Sequence, residues 1–257
     1  MVYTVLGSPS KPIPRIALVT PIWEDSNRFG VYGPKLARAI AASNLPIKWI
    51  VSDDGSSLIE QERLKKIVED LSIIYPEVHL VLSRNRLRKG AAIYKGWNQV
   101  SSMDWLAFVD GDGAIKAQDL INFINNSISN KLDTCSISIR KSSYLTPVIR
   151  QFKRRISLRI FRLLVRMFTG LCLADTQCGA KIIPAIQYHK IRHKLRESGF
   201  IFDVELLINL TSSGCKIRSV PISWEEIPGG KVNLIYDSLV MIRGLYRIRK
   251  RIKNGIY

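Results

Sequence analysis

The 257-residue chain carries 39 lysines and arginines against 21 acidic residues, a formal net charge of +18, and 46% of its residues are apolar. That length and apolar content suit one large domain with a buried core and exclude a disordered polyelectrolyte. The charge calls for an anionic partner: nucleic acid, an acidic lipid surface or a phosphorylated substrate.

Residues 1–14 read as a loose leader without the apolar core of a signal peptide. RIALVTPIW (15–23) is apolar and β-branched and predicts a buried first strand. A helix is predicted over 35–43, and a second strand over 46–57 running into the turn SDDGSS. A helix over 57–74, a third strand over 77–83, a helix over 89–100 entered through Gly90, and a fourth strand over 105–110 follow. This alternation with short connections implies a parallel, twisted sheet, in which ligands bind at the carboxyl ends of the strands. Glu24, Asp25, Asp53, Asp54, Asn85, Asp110 and Asp112 all fall just after strands.

The second half is basic. In the helix predicted over 150–170, Arg155, Arg159, Arg162 and Arg166 recur at helical steps. Ile156, Ile160, Leu163, Leu164 and Met167 make an apolar stripe beside them. Such a helix either lies in a membrane interface or packs on a core with solvated arginines. The tail 238–253 repeats the theme with Arg243, Arg247, Arg249, Lys250, Arg251 and Lys253. No run of eighteen apolar residues occurs, so membrane contact is expected to be peripheral. Cys135, Cys172, Cys178 and Cys215 form no CxxC pair and are expected as reduced thiols in a cytoplasmic compartment.

The chemistry concentrates in LAFVDGDGAIK (107–117). Two carboxylates one residue apart suit a hard divalent cation, Mg²⁺ or Mn²⁺, which keeps several waters and shares its ligands with substrate phosphates. Gly111 and Gly113 let the backbone turn tightly there. A lone DxD carries little information; its place after an apolar strand, beside a second acidic turn, gives it weight. In SDDGSS, Asp53 or Asp54 suits a nucleobase imide or a ribose hydroxyl, while Ser56 or Ser57 suits a helix cap. His189 and His193 stand four apart, but no Glu follows His189, so they read as solvated side chains. Trp105 and Trp224 read as core, and Glu225 and Glu226 as a solvated turn before Pro228.

The order VTPIWED, VSDDGSS, NRLRKGAAIYKG, VDGDGA resembles the inverting family 2 glycosyltransferases of GT-A fold. ADTQCGAKII (174–183), GFIFDVELL (199–207) and VPISWEEIPGGKVNL (220–234) are similar to the dolichyl-phosphate β-glucosyltransferase group and, more distantly, to other polyprenyl-phosphate glycosyltransferases. The resemblance implies an α/β GT-A domain over 15–228 with a mostly parallel sheet and basic amphipathic helices. Residues 229–257 would add a loop and a C-terminal basic helix packed on it. It implies transfer of a hexose, glucose favoured, from a nucleotide-sugar donor, UDP-glucose favoured, to a polyprenyl or dolichyl phosphate with inversion.

By the same resemblance, Mg²⁺ or Mn²⁺ sits on Asp110 and Asp112. Pro21, Asp25, Asp53, Asp54, Lys89, Gly90, Asp110 and Lys231 serve the donor. Asp112, Asp175, Arg140 and a basic residue among Arg150, Arg154 and Arg155 serve catalysis and the acceptor phosphate, with Gln177, Asp203 and Glu205 nearby. PIWED replaces the group's PAYNEE, Ala180 replaces an aromatic, and Arg88 stands where a glycine usually precedes the lysine.

A lipid phosphate is largely ionised near pH 7 and needs no strong general base, only a cationic grip, for which arginine's fork is suited. A saccharide or glycolipid hydroxyl as acceptor would instead require Asp175 or Glu205 as base. A non-catalytic nucleic-acid-binding protein is the third reading, but no helix-turn-helix, RNP or zinc signature supports it, and no nucleic acid partner is expected. The enzyme is expected in the cytoplasm, held peripherally on the cytoplasmic face of a membrane.

Overall fold

The computed structural model describes residues 13–140, 148–149, 152–230 and 234–257, with the backbone alone for 148–149, 152–157 and 234–236. Residues 1–12 of the leader, Arg150, Lys231 and the side chains of Arg154 and Arg155 lie outside the described residues.

Strands β1 (Ile16–Ile22), β2 (Ile47–Asp53), β3 (Val78–Val81) and β4 (Trp105–Val109) pair in parallel, in the spatial order β3-β2-β1-β4. Their side chains alternate between two cores, as the strand pleat requires. Ile16 and Leu18 face one core, Ala17 and Val19 the other. The first core is closed by α1 (Ser26–Ser43), α2 (Leu58–Ile74) and α4 (Ala117–Ile128). The second is closed by α3 (Lys89–Asn98), α6 (Ala185–Ile191) and α7 (Phe202–Ser212). Burial on both faces is why these strands read as continuous apolar runs.

Beyond β4 the sheet departs from a purely parallel layout. β7 (Ala180–Pro184) inserts antiparallel between β4 and β5 (Thr134–Ile139), and β8 (Lys216–Pro221) pairs in parallel with β5. A short parallel pair, β6 (Val148–Ile149) with β9 (Trp224–Glu225), forms a separate ladder. Because β7 runs backwards, its entry lies at the same edge as the exit of β4: Val109 pairs with Ala180. The segments after β1, β2, β4 and β5 and the turn before β7 therefore meet along one edge.

Helix α1 begins nine residues earlier than its predicted start at 35 and runs through Pro34. Its buried face of Phe29, Tyr32, Leu36 and Ile40 outweighs the proline's missing N–H. The basic helix α5 (Phe152–Thr169) and the C-terminal α8 (Leu234–Lys253) pack on α7 in a third cluster built on Val165, Ile201, Val204, Leu245 and Ile248. Cys135, Cys178 and Cys215 are buried and Cys172 is exposed, all as free thiols. No helix among the described residues is long and apolar enough to cross a membrane.

Candidate functional site

At the carboxyl edge a cleft of about 370 Å³ opens over β1, β2 and β4. Pro21, Asp25, Asp54, Lys89, Asp110 and Asp112 line it, with Trp23, Arg28, Arg86, Arg88, Phe200 and Asp237 around them. Five of the residues predicted for the donor, and Asp112 predicted for the metal and catalysis, thus converge on one cavity.

Asp110 sits where β4 meets the start of β7: its backbone N–H donates to the Gly179 carbonyl at 2.9 Å. A side-chain carbon on Gly179 would stand 2.5 Å from Asp110 Oδ2, so only glycine lets the two segments approach. Gly111 is equally confined, 2.3 Å from Ile22 Cδ1 by the same measure, and Gly113 turns the chain at φ +79°. Gly179→Ala is expected to cost about 1–3 kcal/mol of stability by overpacking and to displace Asp110, with turnover falling further than stability. Thermal melts beside initial rates check this; a variant as stable and active as wild type contradicts the placement.

Lys89, the first residue of α3, donates its ammonium to Asp110 Oδ1 at 2.6 Å. Burial works against the charged ammonium, but Asp110, Asp203 and Asp112 prevail and raise its pKa. Burial first, and the nearby Asp110 second, raise the Asp112 carboxyl above the ordinary range. Asp112 Oδ1 accepts the Ala114 N–H at 3.0 Å, and Arg28, itself forked onto Asp25 at 2.8 and 2.5 Å, reaches within 3.8 Å of Oδ2. Among the described residues no three His, Cys, Asp or Glu side chains gather into a cage for a metal. Two carboxylates opening on a cleft therefore fit a Mg²⁺-like cation that completes its shell with phosphate oxygens and water.

Two predicted donor residues are placed elsewhere. Asp53 is fully buried and accepts from the backbone N–H groups of Gly55, Ser56 and Ser83 and from Gln61 Nε2 at 2.8–3.3 Å. It ties the β2–α2 turn together, and its neighbour Asp54 faces the cleft instead. Burial raises the Asp54 carboxyl, against the Leu87 N–H, which donates to it at 2.8 Å, and the Arg88 N–H. Gly90 serves packing: a side-chain carbon there would meet Phe202 Cβ at 2.5 Å and Ser198 O at 2.9 Å. Glu24 also stays out of the cleft, accepting from Ser57 while its own N–H donates to Ser56 Oγ. Ser57 is the N-cap residue of α2, yet its side chain caps no backbone N–H.

Of the residues predicted for the acceptor, Arg140 at the end of β5 forks onto Asp175, Nε to Oδ2 at 2.6 Å and Nη2 to Oδ1 at 2.8 Å, with both side chains nearly buried. Burial alone would raise the Asp175 carboxyl; the guanidinium overrides it and the net shift is downward. Asp175 also accepts the Gln177 N–H and so shapes its turn. Glu205 is fully buried and accepts from the N–H groups of Arg196 and Glu197, from Arg251 and from Tyr257. Asp203 is paired with the buried Lys181 at 2.6 Å. Asp175 and Glu205, the bases that a hydroxyl acceptor was expected to use, are thus both engaged by ion pairs and hydrogen bonds in this structure. His189 and His193 are exposed, and Trp105 and Trp224 are buried, as read from the sequence.

A second cleft, of about 240 Å³, adjoins the first and shares Arg88, Phe200 and Asp237 with it. Arg196, Arg247 and Arg251 border it, the last two paired with Glu197. Arg88 holds φ +76° and ψ 166°, a region almost reserved for glycine that costs a residue with a side chain about 1–3 kcal/mol. Arg28, Trp23, Arg86, Arg88, Phe200 and Asp237 were not foreseen as site residues. Only Arg88 carried a signal, as an arginine at a glycine position.

The sequence profile described as "Glycosyl transferase family 2" matches residues 33–182. The chain belongs to this family. Over 222 residues it is 31% identical to the dolichyl-phosphate beta-glucosyltransferase of Saccharomyces cerevisiae, covering 81% of this chain and 66% of that protein. It is 29% identical over 217 residues to the protein of the same description from Dictyostelium discoideum, covering 81% and 64%. The chain thus spans just under two thirds of the length of these relatives. Among solved structures, glucosyl-3-phosphoglycerate synthase from Mycobacterium tuberculosis, in complex with Mn²⁺, uridine diphosphate and glucosyl-3-phosphoglycerate, superposes with a TM-score of 0.60 at 15% identity. That match covers 95% of this chain and 81% of the other and establishes a shared glycosyltransferase fold.

Proposed function

We propose that this protein transfers a hexose, glucose favoured, from a nucleotide-sugar donor, UDP-glucose favoured, to a polyprenyl phosphate, with inversion at the anomeric carbon. The observation that carries this reading is the pair Asp110 and Asp112 on the floor of a cleft that continues into a second, arginine-bordered cleft. The curated relatives supply the acceptor class, and the Mn²⁺ and uridine diphosphate of the mycobacterial neighbour support the donor and the cation.

A Mg²⁺ or Mn²⁺ held by Asp110 and Asp112 would stabilise the charge that develops on the departing diphosphate. Lys89 fixes Asp110, and Arg28 fixes Asp25 at the rim. Pro21 and Asp54 border the donor end. Arg140 and Asp175 hold the DTQCG turn against the sheet edge as a rigid wall. The acceptor phosphate arrives ionised, so the site requires positive charge and exclusion of water rather than a base.

Purified protein with Mg²⁺ or Mn²⁺, labelled sugar nucleotides and undecaprenyl or dolichyl phosphate tests the proposal. The expected product partitions into organic solvent, is labile to mild acid and forms best from UDP-glucose. Label that stays in the aqueous phase with each donor contradicts the reading.

We further propose that α5 and α8 rest on an anionic membrane surface at its cytoplasmic face. Phe161, Leu164, Val165 and Phe168 turn inward, so the apolar stripe read from the sequence is divided between core and surface, with the Ile156 side chain outside the described residues. Ile160, Leu163 and Met167 remain 55%, 57% and 63% exposed beside the exposed Arg159, Arg162 and Arg166. Each basic residue near an anionic leaflet contributes about 1 kcal/mol. Changing all three arginines to glutamine is expected to weaken flotation with phosphatidylserine vesicles at least about tenfold without altering the melting temperature. Unchanged flotation would leave the stripe a solvated surface.

A further inference from the structure

We propose that Arg88 is a phosphate-gripping residue, stationed where the two clefts meet, that holds the acceptor's phosphomonoester against the donor. This rests on the reading above for the identity of the acceptor, but not for the placement of the arginine. Arg88 borders both cavities. Its guanidinium enters no ion pair or hydrogen bond among the described residues, whereas Arg140, Arg247 and Arg251 are each forked or bridged onto a carboxylate. Arg86, the other arginine of its loop that borders the donor cleft, stacks 3.2 Å from the centre of the Trp23 ring. Among the described residues Arg88 is therefore a charge at the junction left for an incoming anion, and Arg196, also without an ion pair among them, adds a second across the smaller cleft.

The backbone is fixed in support of this. The Arg88 N–H faces the Asp54 carboxylate, its carbonyl accepts the Ala92 N–H at 3.1 Å, and its Cδ runs 3.6 Å from the position a side-chain carbon on Gly199 would take. Those contacts hold φ at +76°, where glycine would sit without strain. The strained backbone thus places a cationic side chain between two cavities. Glutamate or leucine at this position would carry the same strain without the cation, so charge is the property to test.

Arg88→Gly removes strain and charge together, Arg88→Ala removes the charge and keeps the strain, and Arg88→Lys keeps both a cation and the strain. The expected result is a melting temperature about 2–4 °C higher for Arg88→Gly, with no gain for Arg88→Ala. Both are expected to raise KM for polyprenyl phosphate at least tenfold, with UDP affinity within twofold of wild type, and Arg88→Lys to recover part of the loss. Calorimetry with farnesyl phosphate, with inorganic phosphate and with UDP separates the sources of the anion. Loss of farnesyl phosphate binding in Arg88→Gly and Arg88→Ala supports the proposal even if wild type transfers no sugar to lipid, an outcome that sinks only the functional reading. Loss of UDP binding with acceptor binding intact overturns the proposal, as does wild-type turnover on polyprenyl phosphate that Arg88→Gly leaves unchanged. Wild type that binds no phosphomonoester overturns it as well.

Discussion

Asp112→Asn is expected to lower kcat/KM about a thousandfold, the scale on which removal of one preorganised charge-stabilising contact is felt, while the fold stays intact. The reason lies in the local electrostatics. Burial and the proximity of Asp110 already raise the Asp112 carboxyl, so its ionised form is held at a cost in the absence of a cation. Asparagine relieves that repulsion, and its Oδ1 can still accept the Ala114 N–H. Melting temperature is therefore expected to hold or rise slightly as activity disappears. Equal losses in both would assign Asp112 to the fold instead of the chemistry. Initial rates with UDP-glucose and polyprenyl phosphate, beside thermal melts of the same preparations, make the comparison.

Arg140→Ala is expected to give the largest loss of stability, about 3–5 kcal/mol, because it leaves Asp175 buried without its partner. Removing both partners, as in Arg140→Ala with Asp175→Asn, is expected to cost less than Arg140→Ala alone. The pH dependence has a definite sign. The folded-state pKa of Asp175 lies below its unfolded value of about 3.9. Its contribution is complete above that value and is lost as pH falls through the depressed folded value. Wild type should thus hold this contribution above about pH 5 and lose it below about pH 4; in Arg140→Ala burial alone raises the Asp175 carboxyl, so the stability difference between the two should begin to shrink at a higher pH and go on shrinking below about pH 4. Urea titrations at stepped pH measure it. A difference that stays constant down to pH 2.5 would show that the ion pair contributes nothing.

The residues foretold this structure unevenly. Strands β1, β2 and β4 were legible because burial on both faces makes them apolar throughout, and the turn after each was legible because a buried run had to end in polar residues. The direction of β7 was not, since AKIIP has the same composition whichever way it runs; only pairing with β4 decides it. Asp53 and Asp54 were indistinguishable in SDDG. Four donors within the protein hold the first, and the second turns to the cleft. Arg28 and Asp237 belong to no motif, and Phe200, though inside GFIFDVELL, was not marked as a site residue; they come together only through the packing of α1, the turn before α7 and α8 around the edge. In α5, helical spacing showed that apolar residues lie on adjoining faces. It did not show that α7 and α8 would cover Leu164 and Val165 and leave Ile160, Leu163 and Met167 outside.

The central claim is that the turn after β4 is where a divalent ion and a nucleotide diphosphate meet. Anomalous diffraction from crystals soaked with Mn²⁺ and UDP measures this directly. The account expects a manganese peak within bonding distance of the Asp110 and Asp112 carboxylates, with the diphosphate beside it in the cleft bordered by Pro21, Asp54 and Lys89. A bound UDP with its manganese at another edge of the sheet, or a diphosphate seated in the cleft without contact to that turn, would contradict it.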